Sequence, residues 1–369
     1  MSRDRYLRQQ GVEGLARERL ASLRVTLVGA GAVGNEVLKI LVLMGVGEVD
    51  VHDFDRVEAH NLTRSILLRE GDVGTGKAAA VVARAADVDP SVRLRAVEGD
   101  AWRTLRLGEL ATRDVVICAV DNLEARMRLS QLCLLAGVDL VNAGIDSRYA
   151  GVEVFPFASG PETACFECHL PESAYRRVAE RYSCGWLRRA LLAEETIATT
   201  AITASAAGAL AVQAALRVGG EARTQARRVL LDTRSGTSTV STLERNPECA
   251  GCAAYQPRPQ RIAAGADWRA AVPVGVDGLQ LAEALIFDYA CAVCGTTRAR
   301  ERHVGRAAAE FDDRIMRCES CGELGVRVDL RAEASVDELA ALYRERRPPV
   351  KYLLARLGEP DAVLIDLEE

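Results

Sequence analysis

The chain has 369 residues, 49% of them hydrophobic, with 47 basic against 52 acidic side chains and a net charge of −5. That is enough apolar material for one large α/β core and a second, smaller domain, and the scattered arginines form no basic stripe, which excludes a nucleic-acid footprint. The charged amino-terminal stretch lacks the apolar core of a signal peptide, and runs such as LKILVLMGVG are too short to span a bilayer, so a cytoplasmic protein without membrane contact is expected.

In chain order, Arg24-Val-Thr-Leu-Val is a short apolar strand that stops at glycine, and the residues after Gly34 have helical spacing. A second strand follows from Glu48 to His52, then a polar loop, a helix through Lys77 to Ala86 and a strand around Val92 to Val97. Val115-Val-Ile-Cys-Ala-Val is almost continuously apolar, as in a parallel sheet covered on both faces. After a strand at Val138 to Asn142 the style changes. Tyr149 to Phe157 and Val229 to Leu243 look antiparallel, with an Ala/Thr-rich helix, Ile197 to Val218, between them. The alternation of strand and helix predicts a Rossmann-like mixed sheet built from βαβ units over residues 1–255. Two prolines after Tyr255 mark a linker, and residues 256–369 form a small α+β domain with a helix expected over Ala334 to Arg356 and a closing strand at Ala362 to Leu367.

Gly29-Ala-Gly31-Ala-Val-Gly34 lies between strand and helix, where glycines let backbone N–H groups approach phosphate, and Asp53 ends the next strand, where a carboxylate meets ribose hydroxyls. These features alone fit a nicotinamide enzyme at least as well as any other nucleotide site. The residues downstream favour a triphosphate. Asp53-Phe-Asp55 is followed by Asn61-Leu-Thr-Arg64, by Lys77, and by Asp121-Asn122 at the end of the Val115 strand. A nicotinamide slot has no use for two cations and a metal-competent carboxylate around one pocket.

With Arg5-Tyr-Leu-Arg8-Gln and Arg245-Asn-Pro-Glu-Cys-Ala-Gly-Cys252 added, the stretch from about Arg5 to Cys252 resembles the ThiF/MoeB/HesA family of adenylating enzymes, which includes the catalytic halves of ubiquitin-activating enzymes. The resemblance implies an ATP site in which Gly29, Gly31, Gly34, Asp53, Asp55 and Asn61 bind nucleotide, Arg64 and Lys77 contact phosphate and Asp121 holds Mg²⁺. It also implies that Arg8 reaches in from a neighbouring subunit, hence a homodimer. The chemistry agrees: a carboxylate attacking phosphorus sets anion against anion, so charge must be spread over a metal, lysine and arginine. No general base is needed, because a C-terminal carboxylate is already ionised.

Eight of the eleven cysteines form four C-x-x-C pairs. Cys165/Cys168 and Cys249/Cys252 each have the spacing of half a tetrahedral site and together make one closed, structural Zn²⁺ site. Cys291/Cys294 and Cys318/Cys321, each followed by glycine, make a zinc ribbon, for two Zn²⁺ per chain. Cys118 and Cys133 read as packing residues. Cys184, before a helical stretch at Trp186 to Glu195 and near Arg188 and Arg189, is placed to be a stabilised thiolate, and its position resembles that of the ThiF cysteine that takes the activated carboxyl.

The expected reaction is ATP-dependent adenylation of the C-terminal glycine of a ubiquitin-like protein, with thioester transfer through Cys184 toward a conjugating enzyme. The alternative is activation of a sulfur carrier for sulfur transfer in cofactor biosynthesis, with a sulfur donor downstream.

Overall fold

The computed structural model describes residues 5–9, 11–160, 162–175, 198–217, 225–255, 258–265, 267–298, 300–307, 317–323, 325–344, 346–358 and 361–368. Two compact units divide them, one built from the chain up to Pro171 together with the stretch that ends at Ala254, the other chiefly from Tyr255 onward.

The first unit runs α1 (Arg17–Ser22), β1 (Arg24–Val28), α2 (Ala32–Met44), β2 (Glu48–Asp53), α3 (Lys77–Val88), β3 (Arg93–Glu98), α4 (Ala101–Thr104), α5 (Leu107–Leu110), β4 (Val115–Cys118), α6 (Leu123–Ala136), β5 (Asp139–Ile145), β6 (Tyr149–Phe155), α7 (Ala201–Leu216), β7 (Ala226–Asp232) and β8 (Thr237–Leu243). The strands form one sheet in the order β3-β2-β1-β4-β5-β6-β7-β8. Pairing is parallel from β3 to β5 and antiparallel from β5 to β8. The chain therefore reverses its winding direction between β1 and β4, the position at which open α/β sheets bind ligands.

Alternation along the strands sorts the core into two layers. Val25, Leu27, Val115 and Ile117 pack in one buried cluster with Leu38 and Leu41 of α2, Val81 of α3 and Ala207 and Ala211 of α7. Val116 and Cys118 alternate to the other face, where α4 to α6 bury Trp102, Leu107, Leu129 and Cys133. The alanines of α7 have a steric purpose. A Cβ at Gly208 would lie 2.5 Å from the Cβ of Glu36, so α7 and α2 approach too closely for larger residues. Glycines at φ 69° and 71°, Gly45 and Gly137, terminate α2 and α6.

The second unit contains β9 (Gln260–Ala263), β10 (Gly278–Cys291), α8 (Arg300–His303), β11 (Val326–Ser335), α9 (Val336–Tyr343), β12 (Tyr352–Gly358) and β13 (Asp361–Asp366). Its sheet has the order β11-β10-β12-β13-β9, with β9 parallel to β13 and the rest antiparallel. Trp268, Leu281, Leu339, Leu353 and Ile365 lie in its core. The helix expected over Ala334 to Arg356 is corrected here. It begins at a reciprocal Ser335/Glu338 cap and ends at Tyr343, because Arg344 takes a φ of 51° and Pro348 and Pro349 follow, so the apolar run after them becomes β12. Among the described residues no helix is long and apolar enough to cross a membrane.

Candidate functional site

The carboxyl ends of β1, β2 and β4 meet at the winding reversal, and each carries part of the site. After β1 the backbone turns at Gly29, whose φ is 97°. A Cβ there would meet the Ala119 carbonyl oxygen at 2.6 Å, and one at Gly34 would meet the Gly29 carbonyl oxygen at 1.9 Å, so both positions require glycine. Gly31 caps α2, and a Cβ there would point into open space. The turn thus sits tightly on the β4–α6 connection and opens toward solvent at Gly31, at the N-terminus of a long helix. That is a cradle for an anion.

Asp53, at the end of β2, is bound to this turn. Its Oδ2 accepts the Ala30 N–H at 2.6 Å and its Oδ1 the Asp55 N–H at 2.7 Å. Burial pushes the Asp53 carboxyl up from its ordinary value, while these two donors and the Lys77 charge oppose the rise. Lys77 opens α3, and its Nζ lies 2.8 Å from Asp55 Oδ2. The two loops are also joined through the backbone, Lys77 N–H donating to the Asp55 carbonyl at 2.9 Å. Asp55 is half exposed, so it occupies Lys77 as a removable counter-ion.

Asn61 accepts the Glu58 N–H and fixes the turn that ends at Arg64, a half-buried residue whose guanidinium rests on the His60 carbonyl oxygen at 2.9 Å. At the end of β4, Asn122 accepts the Ala125 N–H at 2.8 Å as the cap of α6, leaving the exposed Asp121 free of that duty.

One residue of this framework was not singled out by its motif. Asn35 is fully buried in the first turn of α2, donates to the Ala30 and Gly31 carbonyls and accepts the Leu67 N–H at 3.0 Å. It ties the glycine turn to the loop that follows Arg64. The signal available in the sequence was an amide directly after Gly34 in the first turn of the helix.

Arg8 is not brought to this site on its own chain. Gln9 donates to the Leu43 carbonyl at 3.1 Å, Arg5 pairs with Asp89 at 2.7 Å, and the Tyr6 hydroxyl donates to the same carboxylate. Burial alone would raise the Asp89 pKa, but the hydrogen bonds from Arg5, Tyr6 and Ser91 hold it well below the usual carboxylate range. Leu43 and Asp89 lie at the C-terminal ends of α2 and α3, whereas the glycine turn and Lys77 lie at their N-terminal ends. With thirteen residues in α2, the separation is about 20 Å along the axis, at 1.5 Å per residue. No side chain spans that. Cys184, and the helix expected at Trp186 to Glu195, lie outside the described residues.

The four cysteine pairs assemble two by two as their spacing predicts. Cys165, Cys168, Cys249 and Cys252 are all buried, with their sulfurs within 4.8 Å of one another. Sulfur separations are 3.7 Å for Cys165–Cys249, 3.8 Å for Cys165–Cys168 and 3.7 Å for Cys168–Cys252. A tetrahedron with Zn–S bonds of about 2.3 Å has edges of about 3.8 Å, so the sulfur set fits zinc. Gly251 leaves room for Glu167 between the knuckles, because a Cβ there would meet the Glu167 carboxylate at 2.3 Å.

The second set, Cys291, Cys294, Cys318 and Cys321, has matching separations of 3.8 Å for Cys291–Cys321 and 3.7 Å for Cys294–Cys318. It grows from the ends of β10 and β11 around a small cluster of Tyr289, Cys291, Cys318 and Val326. Gly295 and Gly322, the residues after each pair, have φ of 69° and 73° and close the two knuckles with N–H groups donated to the Cys291 and Cys318 carbonyls. The Cys318 thiol is pulled down to about 6, first by the Cys321 and Ser320 N–H groups, which suits a thiolate ligand. Here Cys294 and Cys321 are exposed, unlike any ligand of the first set.

Residues 1–253 match the ThiF family. The chain is 35% identical over 175 residues to the SAMP-activating enzyme E1 of Haloferax volcanii, covering 46% of this chain and 63% of that protein. It is 37% identical over 176 residues to the sulfur carrier protein adenylyltransferase of Thermus thermophilus, covering 46% and 64%. The matched stretch is thus less than two thirds of each relative's length. A crystal structure of E. coli MccB with MccA-N7isoASN superposes with a TM-score of 0.52 at 20% identity, covering 68% of this chain and 75% of that one, which shows a shared fold. With its glycine turn, its sheet order and its buried cysteine cluster, the chain belongs to the ThiF family.

Proposed function

We propose that this protein is an ATP-dependent adenylyltransferase that activates the C-terminal glycine carboxylate of a ubiquitin-like or sulfur-carrier protein: ATP + carrier-COO⁻ → carrier-CO-AMP + PPi. The observation that carries the reading is the convergence, at one winding reversal, of an anion cradle, a buried ribose-type carboxylate, a lysine held by a removable counter-ion and an exposed carboxylate. The relatives named as an E1 and as a sulfur carrier adenylyltransferase support the substrate class.

In this reading Asp53 accepts the ribose hydroxyls. The α2 N-terminus and Gly31 receive phosphate, Lys77 exchanges Asp55 for a phosphate oxygen, and Arg64 meets the negative charge that builds on the α-phosphate. Asp121 would hold Mg²⁺, which supplies charge neutralisation along the triphosphate. Positioning the carboxylate in line with the α-phosphate provides most of the remaining acceleration. The test is carrier-dependent ATP:PPi exchange with carrier proteins ending in Gly-Gly; absence of exchange with all of them, despite bound nucleotide, overturns the reading.

Arg8 is proposed to complete the site of a second copy, so the active species is a homodimer. The tether of its segment at the far end of α2 supports this. Arg8→Ala and Asp121→Ala chains should each be inactive alone, and mixed dimers should recover about a quarter to a half of wild-type exchange, with one intact site per heterodimer. Mixed dimers without recovery exclude action across the interface.

Conjugation is the favoured second step, with Cys184 taking the acyl group from the adenylate and releasing AMP. Cys184→Ala should therefore keep exchange near the wild-type rate, since attack on phosphorus needs no thiol, and should lose a reductant-sensitive carrier adduct in intact-mass measurements. A persistent adduct makes Cys184 a bystander. No adduct on the wild type with its true carrier favours the second reading, in which the adenylate passes directly to a sulfur donor.

A further inference from the structure

A directional chain of hydrogen bonds runs from β7 to the connection that carries Asp121. Arg228 of β7 donates to Glu153 Oε1 of β6 through Nε at 2.8 Å and Nη2 at 2.5 Å. Glu153 Oε2 accepts Nδ2 of Asn142, on β5, at 2.7 Å. The Asn142 Oδ1 then accepts from Arg126 on α6, whose guanidinium also donates to the Ala143 carbonyl at 2.8 Å and to the Val120 carbonyl. Val120 directly precedes Asp121. Glu153 and Asn142 are 9% and 5% exposed, so solvent does not substitute for these partners.

The polarity of this chain is set by an acceptor-only group at one side of Asn142 and a donor-only group at the other. A carboxylate only accepts, so it fixes the Asn142 amide with its NH₂ toward Glu153 and its oxygen toward Arg126. Arg126, a donor only, is thereby satisfied and left with its second nitrogen on the Val120 carbonyl. A neutral amide in place of Glu153 presents a donor as well as an acceptor. It cannot accept from both Arg228 and Asn142 in the same geometry, so one donor is left facing another: at Arg228, at Asn142 or, if the Asn142 amide turns, at Arg126.

We infer that Glu153 is a positioning residue: through Asn142 and Arg126 it sets the Val120–Asp121 backbone, and with it the carboxylate offered to the nucleotide's divalent cation. This rests on the adenylation reading above, in which Asp121 is the metal-binding group. Neither Glu153 nor Arg228 needs to approach substrate.

The test uses the full chain and α,β-methylene-ATP, with affinity measured by calorimetry with and without Mg²⁺. Wild-type protein should bind the nucleotide more tightly with Mg²⁺. Glu153→Gln should bind it equally well without the metal, but should lose at least tenfold of the metal-dependent gain, as Asp121→Asn does. Glu153→Asp, which keeps an acceptor-only group, should recover most of that gain. If Glu153→Gln does not fold, Arg126→Lys, which keeps the charge but not the fork, should lose the same gain. A folded Glu153→Gln protein, or Arg126→Lys in its place, whose metal-dependent gain is within twofold of wild type overturns the inference. A wild-type protein that binds no nucleotide overturns the adenylation reading and the inference together, whereas loss confined to Glu153→Gln and Asp121→Asn supports both.

Discussion

Alanine at Asp121, and separately at Arg64, should lower carrier-dependent ATP:PPi exchange by roughly 10²- to 10³-fold, the loss of about 3–4 kcal/mol expected when one contact to developing negative charge is deleted. The fold should not change. Asp121 is exposed and the α6 cap belongs to Asn122, while Arg64 is a half-buried side chain held by the nearby His60 carbonyl. Circular dichroism and zinc content should therefore match wild type in both variants. The two should also differ in kind. Asp121→Ala should respond to raised Mg²⁺, whereas Arg64→Ala should not, because a guanidinium is not replaced by more metal. Exchange within tenfold of wild type in either variant removes that residue from the site.

Serine at Cys249 should leave the chain unfolded or aggregated, and serine at Cys318 should not. Each chain should carry two zinc ions, and the consequence of losing either follows from what surrounds it. The apparent binding free energy of a structural zinc is about 10–16 kcal/mol, comparable with the whole stability of a domain at about 5–15 kcal/mol. Cys249 is buried with three other buried ligands, and its pair joins residues 84 apart in sequence to one another. Loss of that zinc removes a constraint on the main fold. Cys318 sits instead in a small cluster apart from the Trp268 and Leu353 core, so only the β10–β11 end should loosen, with exchange retained. Because Cys294 and Cys321 are exposed, a chelator should remove one zinc quickly and the other only as the protein unfolds. Elemental analysis giving one zinc per chain excludes the ribbon site, and release of both ions in one phase contradicts the difference in burial.

What was legible beforehand was local. The glycine turn, the Asp53 strand end and the C-x-x-C knuckles announce themselves within a few residues because each answers a short-range demand: a φ only glycine tolerates, or two thiolates on one metal. Asn35 and Arg126 were missed because their partners are distant in sequence; Asn35 meets Leu67, and Arg126 meets Asn142. The tether of Arg5 and Tyr6 to Asp89 was hidden for the same reason, with 83 to 84 positions separating the partners. β12 was misread because Tyr352 to Ala355, all buried, have the unbroken apolar character that a buried helix also shows. Only its pairing with β10 and β13 distinguishes the two.

The length of α2 bears on how such an enzyme would depend on its own abundance. The Arg8 segment is fastened at one end of the helix and the glycine turn lies at the other, so under the proposed function a single chain would hold nucleotide but lack one of the cations its chemistry needs. On the proposed reading, turnover per chain falls on dilution below the dissociation constant of the dimer, while nucleotide binding by each chain persists. Assembly would then act as a threshold: a cell holding few copies keeps them loaded but idle, and ATP is spent only once copies meet.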